Sequence, residues 1–491
     1  MKRSALLCCA ALGAISVAPA AAAAEPVTLV VDDDGGQCGP EAYRTIGAAV
    51  TAAKNGDTVK VCPGSYAERV TITKKITIQG PVEAVKGLDC FLPDEAQFTG
   101  LLDPARFAIL SPPGAPEEVA DSILSLQANS IELSGLVVQE QNNSQATVVD
   151  NPARPFPLSP STLALHEAAI ETDNLHSGFN IHDNLIRNNY LGVELGSTGI
   201  YTTELGTTDG RASVFANNCL RNNYFGVANQ RYVMRDVSIT GNKSYGQDDK
   251  VYEIGWSYAG AESVTIRDND SRRDRFFVGV ENTNNVTIGG VKQPDGTFIG
   301  GNRVNQDPGL DPAVRFPEQV PGQPVITSRG VEVYGRNQGL SILGNSISHL
   351  TGANVAFLAP RTVAPADTAS GVLVEGNALT MTTAGLSMTP AARARETRIL
   401  GNDLSWNDVG LFMAANNNAN IVTGNIANNN KGTDLNEGDG ISVRGSNNTF
   451  ESNTMLDNGR LDARDEGTLN TWTKNICVNA NPPGICPVAA E

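Results

Sequence analysis

The sequence is poor in aromatic residues and in positive charge. Only 5% of its 491 residues are aromatic, and 36 Lys and Arg face 53 Asp and Glu, which gives a formal charge of −17. Such a chain lacks the positive field that a general nucleic-acid binder or a binder of anionic membranes needs. It also lacks GxSxG, HExxH and Gly-rich phosphate-loop motifs, so serine hydrolase, zinc protease and nucleotide-binding functions have no support.

The first 24 residues have the pattern of a secretory signal. Lys2 and Arg3 precede an apolar run over 5–17, and small residues follow up to Ala24. The run is too short for a membrane span, and no later stretch reaches the roughly 18 apolar residues that a span needs. We therefore expect an exported, soluble protein.

Six cysteines follow this segment, and an even number in an exported chain favours disulfides. Cys477 and Cys486 flank a Pro-Pro-Gly turn, and Cys38 and Cys62 flank a predicted helix, so each pair is expected to close locally. Cys90 and Cys219 then remain as the third pair. No CxxC pair or Cys/His cluster supports a zinc site.

A dipeptide ending in asparagine recurs ten times, with a base unit of about 23–25 residues. The asparagines are Asn184, Asn218, Asn242, Asn269, Asn302, Asn345, Asn377, Asn402, Asn425 and Asn453. A large apolar residue lies three positions before each of them: Ile181, Phe215, Ile239, Ile266, Ile299, Ile342, Val374, Ile399, Val422 and Phe450. Alternation around these residues predicts strands, and a second short strand such as GVEL or GVEV follows in most units.

Strands and turns repeated at this interval predict a coil of parallel strands, with equivalent residues stacked about 4.8 Å apart. A stacked asparagine can donate its amide to the next turn and satisfy carbonyls that would otherwise be unpaired. We therefore assign the repeated asparagines a structural role rather than a catalytic one.

These ten units, the opening 27–80 and the ending 472–486 resemble the right-handed parallel β-helix proteins of the pectin-lyase-like superfamily, particularly the Asn-rich repeats of NosD-like exported proteins. The resemblance implies an all-β, right-handed parallel β-helix solenoid with a short N-terminal capping helix, whose apolar face would include Ile46, Ala49 and Val50. It implies a cap and first rungs over 25–80, a β-helix over 81–486 and a tail over 487–491. The fold alone does not define an activity, because it carries enzymes and inert scaffolds alike.

Four Pro-rich stretches interrupt the repeat and are predicted to project as loops: 81–121, 141–167, 305–328 and 359–370. Long loops in a compact repeat are often functional, and solvated decoration is the alternative.

The outward third position of the second strand predicts a column of carboxylates. Its members are Glu194, Ala228, Tyr252 or Glu253, Glu281, Glu332 and Asn354. This places Glu281 and Glu332 on successive rungs about 5 Å apart. Their repulsion would be resolved by Ca²⁺, by a nearby arginine, or by protonation of one member as an acid/base pair, and this separation also suits a retaining glycosidase.

A second column should stack Arg187, Arg221 and Arg272, with Tyr245 between the last two. Arg267, Arg272, Arg273 and Arg275 concentrate positive charge near Asp248 and Asp249, and arginine binds sugar carboxylates well. A surface ion-pair ladder is the alternative interpretation. The four histidines carry no catalytic pattern, and outward-facing His182 is expected to be a surface residue.

Two functions remain open. The first is a secreted β-helix protein that engages an extracellular polysaccharide, as a uronate-directed lyase, epimerase or glycosidase; the second is a non-catalytic scaffold or adhesion protein of the cell envelope. The candidate catalytic residues are Glu281, Glu332, Arg272, Arg273, Arg275, Asp248 and Asp249, with Ca²⁺ at Glu281 and Glu332 as a possible cofactor. The candidate substrate-binding residues are Arg187, Arg221, Glu194, Glu253 and Tyr245.

Overall fold

The computed structural model describes residues 25–91, 102–112, 122–139, 168–199, 211–256, 260–305, 328–361, 370–432 and 438–486. The predicted signal segment, the tail, the 141–167 stretch and most of the predicted loops over 305–328 and 359–370 lie outside these ranges. Within them, no helix is long and apolar enough to cross a membrane.

Three long sheets of parallel strands build the molecule. Sheet A contains β1 (Thr28–Val31), β2 (Thr58–Val61), β5 (Thr77–Gln79), β8 (Glu132–Ser134), β11 (Asn180–His182), β14 (Ser197–Thr198), β15 (Ser213–Ala216), β18 (Met234–Thr240), β21 (Ala261–Arg267), β24 (Thr283–Asn284), β25 (Thr287–Gly289), β30 (Asn337–Gln338), β31 (Ser341–Leu343), β34 (Leu373–Glu375), β37 (Arg398–Leu400), β39 (Ile421–Thr423), β41 (Thr449–Glu451) and β43 (Thr471–Thr473). Sheet B contains β3 (Gly64–Tyr66), β6 (Ala108–Leu110), β9 (Leu136–Gln139), β12 (Leu185–Arg187), β16 (Cys219–Arg221), β19 (Lys243–Tyr245), β22 (Asp270–Arg272), β28 (Arg303–Asn305), β32 (Ser346–Ser348) and β35 (Ala378–Thr380). Sheet C contains β4 (Val70–Ile72), β7 (Leu124–Leu126), β10 (Ala168–Glu171), β13 (Leu191–Glu194), β17 (Phe225–Ala228), β20 (Lys250–Ile254), β23 (Phe276–Val280), β29 (Arg329–Tyr334), β33 (Ala353–Leu358), β36 (Ala384–Met388), β38 (Val409–Met413), β40 (Asp439–Val443), β42 (Leu461–Asp465) and β44 (Ala480–Asn481).

The chain visits sheets A, B and C in turn, as in β11, β12 and β13, and then repeats the circuit one rung further along. Each strand pairs in parallel with its equivalent on the next rung, so the predicted parallel β-helix is confirmed. Aliphatic and aromatic side chains from all three sheets fill its interior and form one continuous core.

Nine of the ten apolar residues predicted to precede the asparagines are fully buried in that core, and one prediction is wrong. Ile299 is 60% exposed, because it lies in an antiparallel hairpin formed by β26 (Val291–Lys292) and β27 (Phe298–Ile299). Ile288 takes its place in the column, between Ile266 and Ile342. The hairpin separates the strand from its asparagine, so spacing alone chose the wrong residue.

The asparagines form the predicted ladder. Asn345, for example, donates its side-chain amide to Oδ1 of Asn377 and to the carbonyl of Ile288, both at 2.9 Å. The same link joins every successive pair from Asn184 to Asn453 and continues to Asn475. These amides satisfy buried turn carbonyls, which confirms their structural role.

The N-terminal helix and all three disulfides agree with the predictions. Helix α1 (Ile46–Ala52) begins at Thr45, whose hydroxyl accepts from the amide of Ala48, and buries Ile46, Ala49 and Val50. The pairs Cys38–Cys62, Cys90–Cys219 and Cys477–Cys486 have Cα separations of 6.4, 5.7 and 5.7 Å.

The stretch 81–121 is not the plain loop that was predicted. It contains helix α2 (Val82–Lys86) and strand β6, which pairs with β3 and β9 as a regular member of sheet B. Its short Ala-Ile-Leu strand is too brief to show alternation, so the sequence pattern missed it.

Candidate functional site

The outer face of sheet C carries an unusual concentration of charged groups. Its central strands turn their first and fourth side chains away from the core, while the two residues between them point inward. In β20, Lys250 and Glu253 face outward, and Val251 and Tyr252 are fully buried core residues. Two outward columns therefore run along this face of the β-helix.

The fourth-position column is named here the glutamate file. In register it contains Glu171, Glu194, Ala228, Glu253, Gly279, Glu332 and Ala356. The sequence analysis predicted Glu194, Ala228 and Glu332 in this column and left Tyr252 or Glu253 open; the structure shows that Glu253 is the member. From Glu194 onward, a small residue, Ala228 or Gly279, therefore lies between one glutamate and the next.

The predicted stacking of Glu281 on Glu332 is wrong, and so is the place given to Asn354. Glu332 lies opposite Gly279, and Ala356 lies opposite Glu332 on the other side. The segment GVEN looks like GVEV, but β23 begins earlier, with two phenylalanines, and shifts the register by two residues. Glu281 therefore lies beyond the end of its strand.

Lys250 supplies the positive charge between the two central glutamates. Its Nζ lies 3.2 Å from Asp249, 3.3 Å from Glu253 and 3.4 Å from Glu332. It reaches Glu332 by passing over Gly279, where an added Cβ would lie 2.7 Å from its Cε. Burial lowers the pKa of Lys250, but the three carboxylates outweigh it and hold that pKa above its usual range.

Arg361 is the second cation of this cluster and was not identified from the sequence. Its guanidinium donates two hydrogen bonds to Glu253, at 2.5 and 3.2 Å, and its backbone amide donates to Glu281 at 2.9 Å. The same guanidinium lies 3.8 Å from the ring centre of Tyr334. It lies within the predicted loop 359–370 and belongs to no repeat, so no periodic signal marks it.

The carboxylate of Glu332 contacts three groups that stabilise its negative charge. Arg329 and the hydroxyl of Tyr334 each donate to it at 2.7 Å, and Lys250 completes the set. Burial raises its pKa, but these groups outweigh burial and leave that pKa below the usual value. Burial raises the pKa of neighbouring Asp249, against the opposing effect of Lys250.

Stacked carboxylates do occur in the file, at Glu171 and Glu194 on successive rungs. Glu171 accepts from the hydroxyls of Ser122 and Tyr232, at 2.6 and 3.0 Å, while Glu194 accepts from the backbone amide of Arg231 at 2.9 Å. The other oxygen of Glu194 is buried without a hydrogen-bond partner, and burial raises the pKa of Glu194 to about 7. The sequence missed Glu171, because the 141–167 stretch breaks the repeat just before it.

Aromatic side chains lie beside the file on the same face. Tyr190 and Tyr224 stack with their ring centres 5.0 Å apart, and Phe225 packs edge-on against Tyr224 at 4.8 Å. Trp256 is partly exposed and lies 5.7 Å from both the Phe225 ring and the Arg361 guanidinium. These rings give the charged face an apolar border.

The predicted arginine column exists but lies on sheet B. Arg187, Arg221, Tyr245 and Arg272 are in register, as expected. Arg187 and Arg221 are only 4% exposed, and Arg221 donates to the carbonyl of Cys90 at 2.8 Å. Burial, with a smaller effect of Arg221, lowers the pKa of Arg187 to about 10.

The other predicted basic residues do not converge on one site. Arg267 lies on sheet A near Asp268, Arg272 pairs with Asp270, and Arg273 donates to the hydroxyl of Tyr245. Arg275 lies 5.0 Å from the ring centre of Phe276 at the border of sheet C. Asp248 precedes Asp249 in the turn before β20.

The calcium site at Glu281 and Glu332 stays a prediction. Both carboxylates have cationic partners within the described chain, namely Arg361 for Glu281 and Arg329 and Lys250 for Glu332. The conflict between negative charges is therefore resolved there by side-chain cations.

The family comparison matches the C-terminal third of the chain. Residues 322–487 match the family described as "Periplasmic copper-binding protein (NosD)", in agreement with the NosD-like repeats expected from the sequence. No curated protein matches the chain in sequence.

Several solved structures resemble the chain at low sequence identity. A GH87 α-1,3-glucanase catalytic unit from Streptomyces thermodiastaticus is 14% identical, with TM-score 0.44, covering 94% of this chain and 71% of its own. A mannuronan C-5 epimerase A-module from Azotobacter vinelandii is 12% identical, with TM-score 0.39 and coverages of 89% and 93%. A DFA-IIIase from Arthrobacter chlorophenolicus is 13% identical, with TM-score 0.44 and coverages of 93% and 99%.

Proposed function

We propose that the protein is exported and engages an extracellular polysaccharide along the outer face of sheet C. The observation that carries this proposal is a row of partly exposed arginines that the carboxylates of the glutamate file hold along the axis of the β-helix: Arg231 beside Glu171, Arg361 beside Glu253 and Arg329 beside Glu332. Parallel rungs repeat about every 4.8 Å, so these cations can contact different units of a linear polymer that lies along the axis. The three disulfides suit an oxidising, exported compartment.

Two parts of the file suit different tasks. Around Lys250 and Arg361 the cations are fixed by carboxylates, and Arg361 remains 24% exposed on its side chain. A partly exposed guanidinium suits the binding of a uronate carboxylate. At Glu171 and Glu194, a raised pKa next to a hydrogen-bonded carboxylate gives the asymmetry that acid/base chemistry on a sugar requires.

Binding and chemistry are tested separately. Affinity electrophoresis in alginate, pectate and hyaluronan measures binding, with and without Ca²⁺. New absorbance from an unsaturated bond reports lyase activity, released reducing ends report hydrolysis, and NMR of the product reports epimerisation. If the protein binds none of these polymers and no neutral glucan tested alongside them, the proposal is overturned.

A matched pair of variants locates the binding face. Ser387 is outward on sheet C, in register with Ala356, and Ser341 is outward on sheet A. Ser387→Trp should weaken polymer binding at least tenfold by blocking the outer face of sheet C, whereas Ser341→Trp should bind like the wild type. Equal binding by both variants would place the polymer elsewhere.

A second candidate function is the binding of a copper ion. The family matched over 322–487 is described as copper-binding, and that range contains the one exposed methionine of the described residues, Met381. Thioether sulfur is a soft ligand that favours monovalent copper. This candidate predicts copper retention that is independent of any polysaccharide.

A further inference from the structure

One turn of the β-helix carries large side chains on a backbone that disfavours them. In the turn from sheet B to sheet C, the first residue has a positive φ on successive rungs. On two rungs this residue is small and polar: Asn429 and Asp457 adopt φ of 58° and 59°. On the three preceding rungs it is His349, Met381 and Trp406, with φ of 60°, 56° and 64°.

These three residues occupy equivalent positions. The amide of His349 donates to the carbonyl of Met381 at 3.0 Å. The pairings Ala378 with Asp403 and Ala384 with Val409 place Trp406 opposite Met381. The three Cα atoms therefore form a vertical column with steps of about 4.8 Å, named here the His–Met–Trp column.

The exposure of the column is abnormal for its residue types. The other four methionines of the described chain, Met234, Met388, Met413 and Met455, are all fully buried. Met381 is 50% exposed and Trp406 59% exposed. The hydrophobic effect favours burial of both side chains, and a positive φ adds backbone strain, so packing does not explain their presence.

The ligand chemistry of the column is soft and uncharged. A thioether and an imidazole together suit Cu(I) and Ag(I), while hard cations prefer oxygen ligands. An indole face attracts a cation electrostatically. Ser348 lies with its hydroxyl 2.9 Å from Nδ1 of His349, a contact that orients the imidazole ring.

The cysteines and the other two histidines of the described chain lie in different surroundings. All six cysteines form disulfides. His176 lies within 3.0 Å of both oxygens of Asp173, and His182 lies between Asp183 and Glu132. Met381 carries the one exposed thioether of the described residues, and His349 carries the imidazole one rung from it.

We propose that the His–Met–Trp column binds one Cu(I) ion, with Sδ of Met381 and Nε2 of His349 as ligands and the ring of Trp406 covering the ion. The proposal rests on the second candidate function and names its site. Binding changes neither the oxidation state of the ion nor any covalent bond of the protein.

The test uses the full chain and two probe ions. Ag(I) is titrated in chloride-free buffer while tryptophan fluorescence is followed, and Cu(I) is titrated anaerobically against bicinchoninate. We expect one equivalent to bind, with quenching that is lost in Trp406→Phe although Trp256 and Trp472 remain. Ca²⁺ and Zn²⁺ should leave the fluorescence unchanged.

Two matched methionine variants decide where the ion binds. Met381→Leu should weaken Cu(I) binding at least tenfold, and His349→Gln should do the same, while Met388→Leu should not; circular dichroism checks that each variant folds. Wild-type-like binding by Met381→Leu would overturn the column while leaving copper binding intact. Failure of the wild type to bind either ion would overturn both the column and the second candidate function.

Discussion

Gly279 lies directly opposite Glu332 on the adjacent rung, and the side chain of Lys250 fills the space above Gly279. One cation thereby contacts carboxylates that belong to strands two rungs apart, Glu253 and Glu332. The alternation of glutamate with small residues along the file is what makes these contacts possible.

Gly279→Ala should destabilise the protein by about 1–3 kcal/mol, because the new Cβ would overlap the path of Lys250. Chemical denaturation measures the change. In a Lys250→Met background the same substitution should cost clearly less, since methionine forms no ion pairs that fix its end and can move away from the new Cβ. An equal cost in both backgrounds would show that the two residues are independent.

Lys250→Met should cost about 3–5 kcal/mol at neutral pH, because it leaves Asp249, Glu253 and Glu332 without their shared cation. Part of the loss should be regained at acidic pH as the carboxylates become protonated. Lys474→Met is the control: it removes an exposed pair with Glu451 and should change stability by less than about 0.5 kcal/mol. Similar losses in both variants would contradict the role given to Lys250.

Asp274→Asn should remove a pH dependence of stability. Burial raises the pKa of Asp274 to about 7, against hydrogen bonds from Ser244, the amide of Gln247 and Ser271. The folded state therefore binds this proton more tightly than the unfolded state, so stability is complete below about pH 4 and falls as the pH rises to about 7.

Asparagine already occupies the equivalent positions on two earlier rungs, where the side chain of Asn223 accepts from the backbone amide of Asn189 as Asp274 accepts from that of Gln247. The new amide side chain is therefore expected to fit, so Asp274→Asn should be more stable than the wild type above pH 7. Denaturation midpoints between pH 4 and pH 8 measure the slope. If the variant keeps the wild-type dependence of stability on pH, that dependence belongs to another titratable group.

Asn345→Ala should be strongly destabilising, because it leaves the buried carbonyl of Ile288 and the amide of Asn302 without their partners. Each unsatisfied buried group costs about 1–3 kcal/mol. Asn284→Ala, at an exposed strand position, should have little effect. Thermal unfolding compares the two, and equal midpoints would contradict the structural role of the ladder.

The sequence predicted the repeat, the ladder and the disulfides because each depends on local spacing or on residue type. Asn345 is found by its distance from the apolar residue before it, and the pairing of Cys90 with Cys219 follows once the local pairs are assigned. Register was less accessible: Glu281 was placed opposite Glu332 because two similar segments hide a shift of two residues.

The cations of the candidate site were the least predictable part. Arg361 reaches Glu253 across 108 positions of sequence and lies outside the repeat, so periodicity cannot identify it. Arg273 was grouped with Arg272 by proximity in sequence, yet consecutive residues of a β-helix turn point to different faces. This site is defined by contacts between residues distant in sequence and by the face to which each side chain points, rather than by residue type.

Hydroxyl-radical footprinting with bound polymer tests the central claim, that sheet C is the working face, most directly. The polymer is the one that affinity electrophoresis identifies, and mass spectrometry reads oxidation of each side chain. We predict protection of Trp256, just beyond the end of β20, and of Phe412 on sheet C, with Ile421 on sheet A unchanged. Protection of Ile421, with Trp256 and Phe412 oxidised as in the free protein, would contradict it.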